Sequence, residues 1–155
     1  MKKLTLLLAL VALGLFANAQ ATKYLNFGGL GTGIYVGVEL PVSNVITLVP
    51  QASTSYDFNV FFLTLKGNFY FDELFGLPAE WDIYGGLNAG WRIDNHDDRY
   101  YYDNRNKHYY HREGSGFDIG AQIGARWFWS ERWGLNLEFG GGTSFNSGLG
   151  VTMKL

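Results

Sequence analysis

The chain has 155 residues, a formal net charge of −2 and no cysteine, which suffices for one domain and excludes disulfide frameworks and thiolate chemistry. It is rich in glycine (21) and aromatic residues (17%), and no basic run stands outside one mixed-sign loop, so nucleic acid is not an expected partner. No apolar stretch long enough for a membrane-spanning helix follows the first residues, so any crossing would have to be made by strands.

Met1-Lys2-Lys3 is a short basic segment, Leu4 to Phe16 is an apolar run of thirteen residues with a single Thr5, and Ala17-Asn18-Ala19 has the small residues of a cleavage site before Gln20. This pattern reads as a secretory signal peptide over residues 1–19, which leaves residues 20–155 as the folded domain. Removing Lys2 and Lys3 with it takes the formal charge from −2 to −4.

From Tyr24 onward the sequence divides into eight runs in which apolar residues alternate with polar or small ones, the period of a strand with two unlike faces. The first two, Tyr24 to Gly31 and Gly33 to Pro41, meet at Thr32; the second sets Ile34, Val36, Val38 and Leu40 against Tyr35, Gly37 and Glu39. Val45 to Tyr56 follows Ser43-Asn44, and Asp57-Phe58-Asn59 turns the chain into Val60 to Phe71. There Phe61, Leu63, Leu65, Phe69 and Phe71 alternate with Thr64, Lys66, Asn68 and Tyr70. A longer connection, Asp72 to Glu80, leads to Trp81–Ile93, and Phe117–Trp129 is its partner. The tight turn Ser130-Glu131-Arg132 precedes a seventh run from Trp133, and Phe145 to Leu155 is the eighth.

Positions that face each other in an antiparallel pair have numbers with a constant sum. Asp82 with Arg126 gives 208 and Arg92 with Asp118 gives 210, so both pairings bring opposite charges together on the polar face. The nearly palindromic segment Arg99 to Arg112, centred on Asp103-Asn104-Arg105-Asn106, gives about 209. One long hairpin is therefore expected, with its upper half standing clear of the barrel as a two-stranded ribbon.

Eight amphipathic strands suit a closed up-and-down antiparallel barrel. A soluble barrel turns its apolar face inward and covers its outside with charge. Here the polar face holds mostly Gly, Asn, Thr and Ser with about one charge per strand, which suits the narrow lumen that eight strands enclose. Aromatics gather at the two ends of the apolar face: Phe69, Phe71, Trp81, Trp127, Trp129 and Trp133 at one, Tyr56, Phe61, Trp91, Phe117 and Phe145 at the other. Two girdles with aliphatics between them mark a lipid-facing band, so the expected fold is an all-β, eight-stranded transmembrane barrel.

The whole domain resembles the small eight-stranded outer-membrane barrels of the OmpX/OmpA-like kind. The run NFYFDELFGLPAEWDIYGGLNAGW (Asn68 to Trp91) and the final strand GLGVTMKL carry the resemblance most specifically. It departs at Leu155, where an aromatic residue is usual, and at the long connection Asp72 to Glu80, on a side where turns are usually shorter. The resemblance implies a location in the bacterial outer membrane, periplasmic termini and delivery by the barrel-assembly machinery. Outer-membrane lipid and lipopolysaccharide would be its neighbours. The loop from Asp94 to Gly116 would then face the cell exterior.

The inward face carries four acids and four bases: Glu39, Lys66, Asp82, Arg92, Asp118, Arg126, Glu138 and Lys154. Buried charges need partners, so these are expected to pair and plug the lumen. The alternative is a narrow path for water or small ions. The hairpin offers Arg99, Tyr100, Tyr101, Tyr102, Arg105, His108, Tyr109, Tyr110 and His111 as a surface of the kind that binds a protein or a glycan. His96, His108 and His111 stand near Asp94, Asp97, Asp98 and Asp103, but this spacing is a weak metal signature and no metal or cofactor is expected. An enzyme at the barrel rim is the least favoured reading, because no serine has a convincing histidine neighbour.

Overall fold

The computed structural model describes residues 22–30, 33–94, 101–103, 108–110, 115–142 and 148–155, so the expected signal peptide lies outside the described residues. Ten strands and one short helix follow in chain order. They are β1 (Tyr24–Leu30), β2 (Gly33–Pro41), β3 (Ile46–Ser55), β4 (Val60–Tyr70), α1 (Asp72–Phe75), β5 (Trp81–Asp94), β6 (Tyr101–Asp103), β7 (His108–Tyr110), β8 (Gly116–Phe128), β9 (Trp133–Gly141) and β10 (Gly148–Lys154).

Eight of the strands close into a barrel, each hydrogen-bonded to its sequence neighbour in the barrel, with β5 beside β8 and β1 beside β10. The closing pair aligns Tyr24 with Lys154 and Phe27 with Val151. The backbone N–H of Leu155 donates to the carbonyl of Lys23 at 2.9 Å, so the start of β1 and the end of β10 lie on one rim, called here the terminal rim. An all-β, antiparallel, up-and-down barrel is thus the observed architecture, and its eight strands match the eight alternating runs.

The core is inverted relative to a soluble barrel. Fully or nearly buried positions include Glu39, Thr47, Gln51, Lys66, Asn68, Asn88, Gln122, Arg126, Asn136, Glu138 and Thr152, whereas Ile34, Val36, Leu48, Phe69, Leu87, Ile119, Ile123 and Phe139 are exposed. Period-two alternation produces this directly, because successive side chains point to opposite sides of the wall. Glycine lets two inward tyrosines lie flat in so narrow a space. A Cβ on Gly124 would come within 2.4 Å of the Tyr84 ring, and one on Gly150 within 2.2 Å of the Tyr35 hydroxyl.

The β5–β8 ladder holds one register along its length, with Asp82 opposite Arg126 and Trp91 opposite Phe117. This corrects one expected pair: Arg92 stands opposite Gly116 and Asp118 opposite Gly90, so Arg92 and Asp118 are two positions out of step. A ladder has a single register over its length, and the one that aligns Asp82 with Arg126 cannot also align Arg92 with Asp118. The tip is corrected too. Strands β6 and β7 form their own two-stranded sheet, with Tyr101 opposite Tyr110, Tyr102 opposite Tyr109 and Asp103 opposite His108. Those numbers sum to 211 against 208 in the barrel, so three more residues lie on the β5 side than on the β8 side between the two ladders. The ribbon is therefore not an in-register continuation of the barrel wall, and the segments joining the two lie outside the described residues.

Candidate functional site: the lumen and the ribbon

The lumen is built in layers, and the layer nearest the terminal rim centres on Arg126. Strand β8 carries Arg126 inward near its end, and β2, β4 and β5 bring Glu39, Tyr70 and Asp82 to the same height. Arg126 Nη2 lies 2.5 Å from Glu39 Oε2 and Nη1 lies 3.3 Å from Asp82 Oδ2, with side-chain exposures of 1% for Arg126 and 0% for Glu39. Nη2 also donates to the Tyr70 hydroxyl at 2.8 Å, and that hydroxyl donates in turn to Glu39. Thr47 Oγ1 at 2.7 Å and Asn26 Nδ2 at 3.2 Å complete the donors around the Glu39 carboxylate. The guanidinium lies 4.3 Å from the centroid of the Tyr24 ring, where the electron-rich ring face attracts a cation. A buried carboxylate is tolerated only when such donors replace its water.

The middle of the lumen holds a second ion pair, Lys66 with Glu138, to which Tyr84 donates at 3.0 Å. Around it run neutral relays. Asn88 donates to Gln122 at 2.7 Å and Gln122 to Asn68 at 2.8 Å. Tyr35 donates to Asn136 at 2.6 Å, Asn136 to Thr152 at 2.8 Å, and Thr152 to Asn26 at 2.6 Å. Between these groups a cavity lined by Tyr35, Glu39, Gln51, Lys66, Tyr84 and Glu138, among others, leaves about 20 Å³ for the centre of a water molecule. That is room for a water or two and for no larger solute.

The eight expected lumen charges therefore divide. Glu39, Asp82 and Arg126 form one network, and Lys66 and Glu138 form another. Arg92 pairs along its own strand with Asp94 at 3.2 Å and stays partly exposed. Asp118 is exposed, accepts a bond from the Ile119 N–H, and has no cationic partner among the described residues. Lys154 caps the Phe128 ring with its ammonium 3.9 Å from the centroid. Sequence reading missed the part played by Tyr24, Tyr70 and Tyr84. The available signal was that Tyr70 and Tyr84 share the inward parity of Lys66 and Asp82, positions where a tyrosine needs a polar partner.

Of the expected surface residues, Tyr101 and Tyr102 lie on β6 and His108, Tyr109 and Tyr110 on β7, whereas Arg99, Tyr100, Arg105 and His111 lie outside the described residues. Register brings the tyrosines of the two strands opposite each other. The weak metal pattern with His96, Asp97 and Asp98 also falls outside the described residues. Compared with known proteins, the chain matches no family model and no curated sequence.

Proposed function

We propose that this chain is a bacterial outer-membrane barrel with a filled, non-conducting lumen, which serves the envelope structurally and carries the β6–β7 ribbon as a surface for a protein or glycan partner. The observation that carries this reading is the inversion of the core, with charges and amides inside and large apolar side chains outside. In water so continuous an apolar surface would drive association, whereas in lipid it meets its own kind. Its height agrees. Trp81 packs on Trp127 at one end of β5 and Trp91 on Phe117 at the other, with ring centroids 6.2 and 6.3 Å apart. The ten residue steps from Trp81 to Trp91 rise roughly 33 Å along the strand, or about 25 Å across a bilayer at the usual tilt. The reading includes export through the signal peptide of residues 1–19, periplasmic termini, and lipopolysaccharide around the outer rim.

The Arg126 layer and the Lys66–Glu138 pair set partnered charges across the lumen at two heights, which supports a plug over a channel. Purified barrel in planar bilayers should stay silent, and in fractionated cells it should enter the outer membrane and change gel mobility on boiling. Steady single-channel steps would instead favour the narrow channel. Recovery as a soluble periplasmic protein with unchanged mobility would overturn the membrane reading.

A further inference from the structure

The connection between β4 and β5 is the longest on the terminal rim, and it is ordered by its own backbone. The Phe75 N–H donates to the Phe71 carbonyl at 3.0 Å and the Leu77 N–H to the Asp72 carbonyl at 3.0 Å, forming the turn of α1. Gly76, at φ +60°, ends that turn in the left-handed region. The segment rejoins the wall where the Trp81 N–H meets the Pro78 carbonyl at 2.9 Å and the Phe128 N–H meets that of Glu80 at 2.8 Å. So fixed, it holds two large apolar side chains away from the protein: Leu74 is 76% exposed and Phe75 62%.

A row of rings ties these side chains to the barrel's outer face. Phe69, on the outward parity of β4, lies 5.0 Å from Phe71, and Phe71 lies 6.4 Å from Phe75. The Phe71 ring covers the outer side of Gly85, where an added Cβ would come within 3.3 Å of it. The apolar band therefore does not stop at the Trp81–Trp127 pair but continues sideways through Phe71 into α1. The other described turns on this rim, at residues 42–45 and 129–132, are short and set the exposed Val42 and Trp129 beside Ser43, Asn44, Ser130, Glu131 and Arg132, with no apolar pair standing out as Leu74 and Phe75 do.

We propose that α1 is a lipid anchor: Leu74 and Phe75 dip into the periplasmic leaflet beside the barrel and fix its depth and tilt on the β4–β5 side. This rests on the membrane reading above. An amphipathic turn lying in the plane of the interface buries its apolar side chains near the boundary between headgroups and acyl chains. Glu80, at the far end of the segment, is exposed and stays in the headgroup water, whereas Asp72 at its start is half-buried against the wall.

The absence of cysteine makes site-directed labelling clean. Leu74→Cys, Leu87→Cys and Glu131→Cys would each carry a nitroxide in full-length barrel reconstituted into phosphatidylcholine vesicles. Collision rates with oxygen and with a water-soluble nickel chelate would then be compared. The expected oxygen-to-nickel ratio at position 74 is several-fold above that at 131, approaching the ratio at 87 in the middle of the band. A ratio at 74 equal to that at 131, with 87 in lipid, would overturn the anchor while leaving the membrane reading standing, and would make α1 a water-exposed face for a protein. A label at 87 that also reports water would overturn both.

Discussion

Arg126 is the residue on which most of the interior depends, because two carboxylates and a tyrosine hydroxyl share one guanidinium. Arg126→Leu strands Glu39 in a site with no exposure, and the expected loss is about 3–5 kcal/mol of stability, read from urea unfolding in vesicles. Asp82→Asn should cost less than Glu39→Gln, since Asp82 is more exposed and its contact longer. Arg92→Ala, by contrast, should cost clearly less than Arg126→Leu, because the Arg92 side chain is partly exposed and pairs with one carboxylate where Arg126 holds two. A loss at Arg92 as large as that at Arg126 would contradict the register. A second residue-scale device sits at the β3–β4 turn. The Asp57 carboxylate accepts from the Ser55 hydroxyl, the Asn59 amide side chain and the Asn59 N–H, beside Phe58 at φ 57°. These bonds lower its pKa from 3.8 to about 2. A depressed carboxyl stabilises the fold above its unfolded value and loses that contribution as pH falls through its folded one. The turn should hold at neutral pH and loosen only as pH drops from about 3.8 towards 2, with a carboxyl NMR midpoint near 2. A midpoint near 3.8 would show that the bonds do not persist.

At the scale of elements, the offset between the two ladders is the informative feature. Each ladder satisfies its own pairing rule: opposite charges and aromatic pairs along β5 and β8, and tyrosine opposite tyrosine at the tip. Three residues of extra length on the β5 side accommodate both. Cysteines at positions 101 and 110 should therefore join readily under mild oxidation, and those at 101 and 108 about tenfold more slowly. Faster joining of 101 with 108, whose numbers sum to 209, would instead restore the register expected from the palindromic segment. Strands β6 and β7 form a sheet of their own, separate from the barrel wall.

For the whole molecule, the barrel and the ribbon should be separable. The wall closes through β1–β10 and needs nothing from the loop between β5 and β8. Replacing residues 95–115 by a two-residue turn should leave the boiling-dependent gel shift and the unfolding midpoint nearly unchanged, while abolishing any binding of cells to a glycan array or host-protein panel. A barrel that fails to assemble without the loop would refute this division. The lumen's balance of charge belongs to the same scale. The Arg126 layer sets one base against two acids and the Lys66–Glu138 layer sets one against one, an arrangement of partnered charges that favours a rigid plug over a pore.

Much of this was legible in the sequence. Alternation is a local property, so the runs from Tyr24 to Leu155 showed eight strands and told the outward-facing side chains from the lumen-facing ones; the pairing of Asp82 with Arg126 followed from one hairpin. Tertiary closure decided what no local pattern contains. Arg126 meets Glu39, 87 residues earlier, and Lys66 meets Glu138, 72 residues later, only because the wall curls until β2 and β4 face β8 and β9 across the lumen. The register of β5 with β8 separated Arg92 from Asp118, since a ladder is set by the sum of all its pairs and one attractive pair cannot move it. The turn of α1 likewise escaped a reading of periodicity. Four residues are too few to show a helical repeat, and the ring contacts from Phe69 through Phe71 to Phe75 that orient it exist only once β4 and β5 lie side by side.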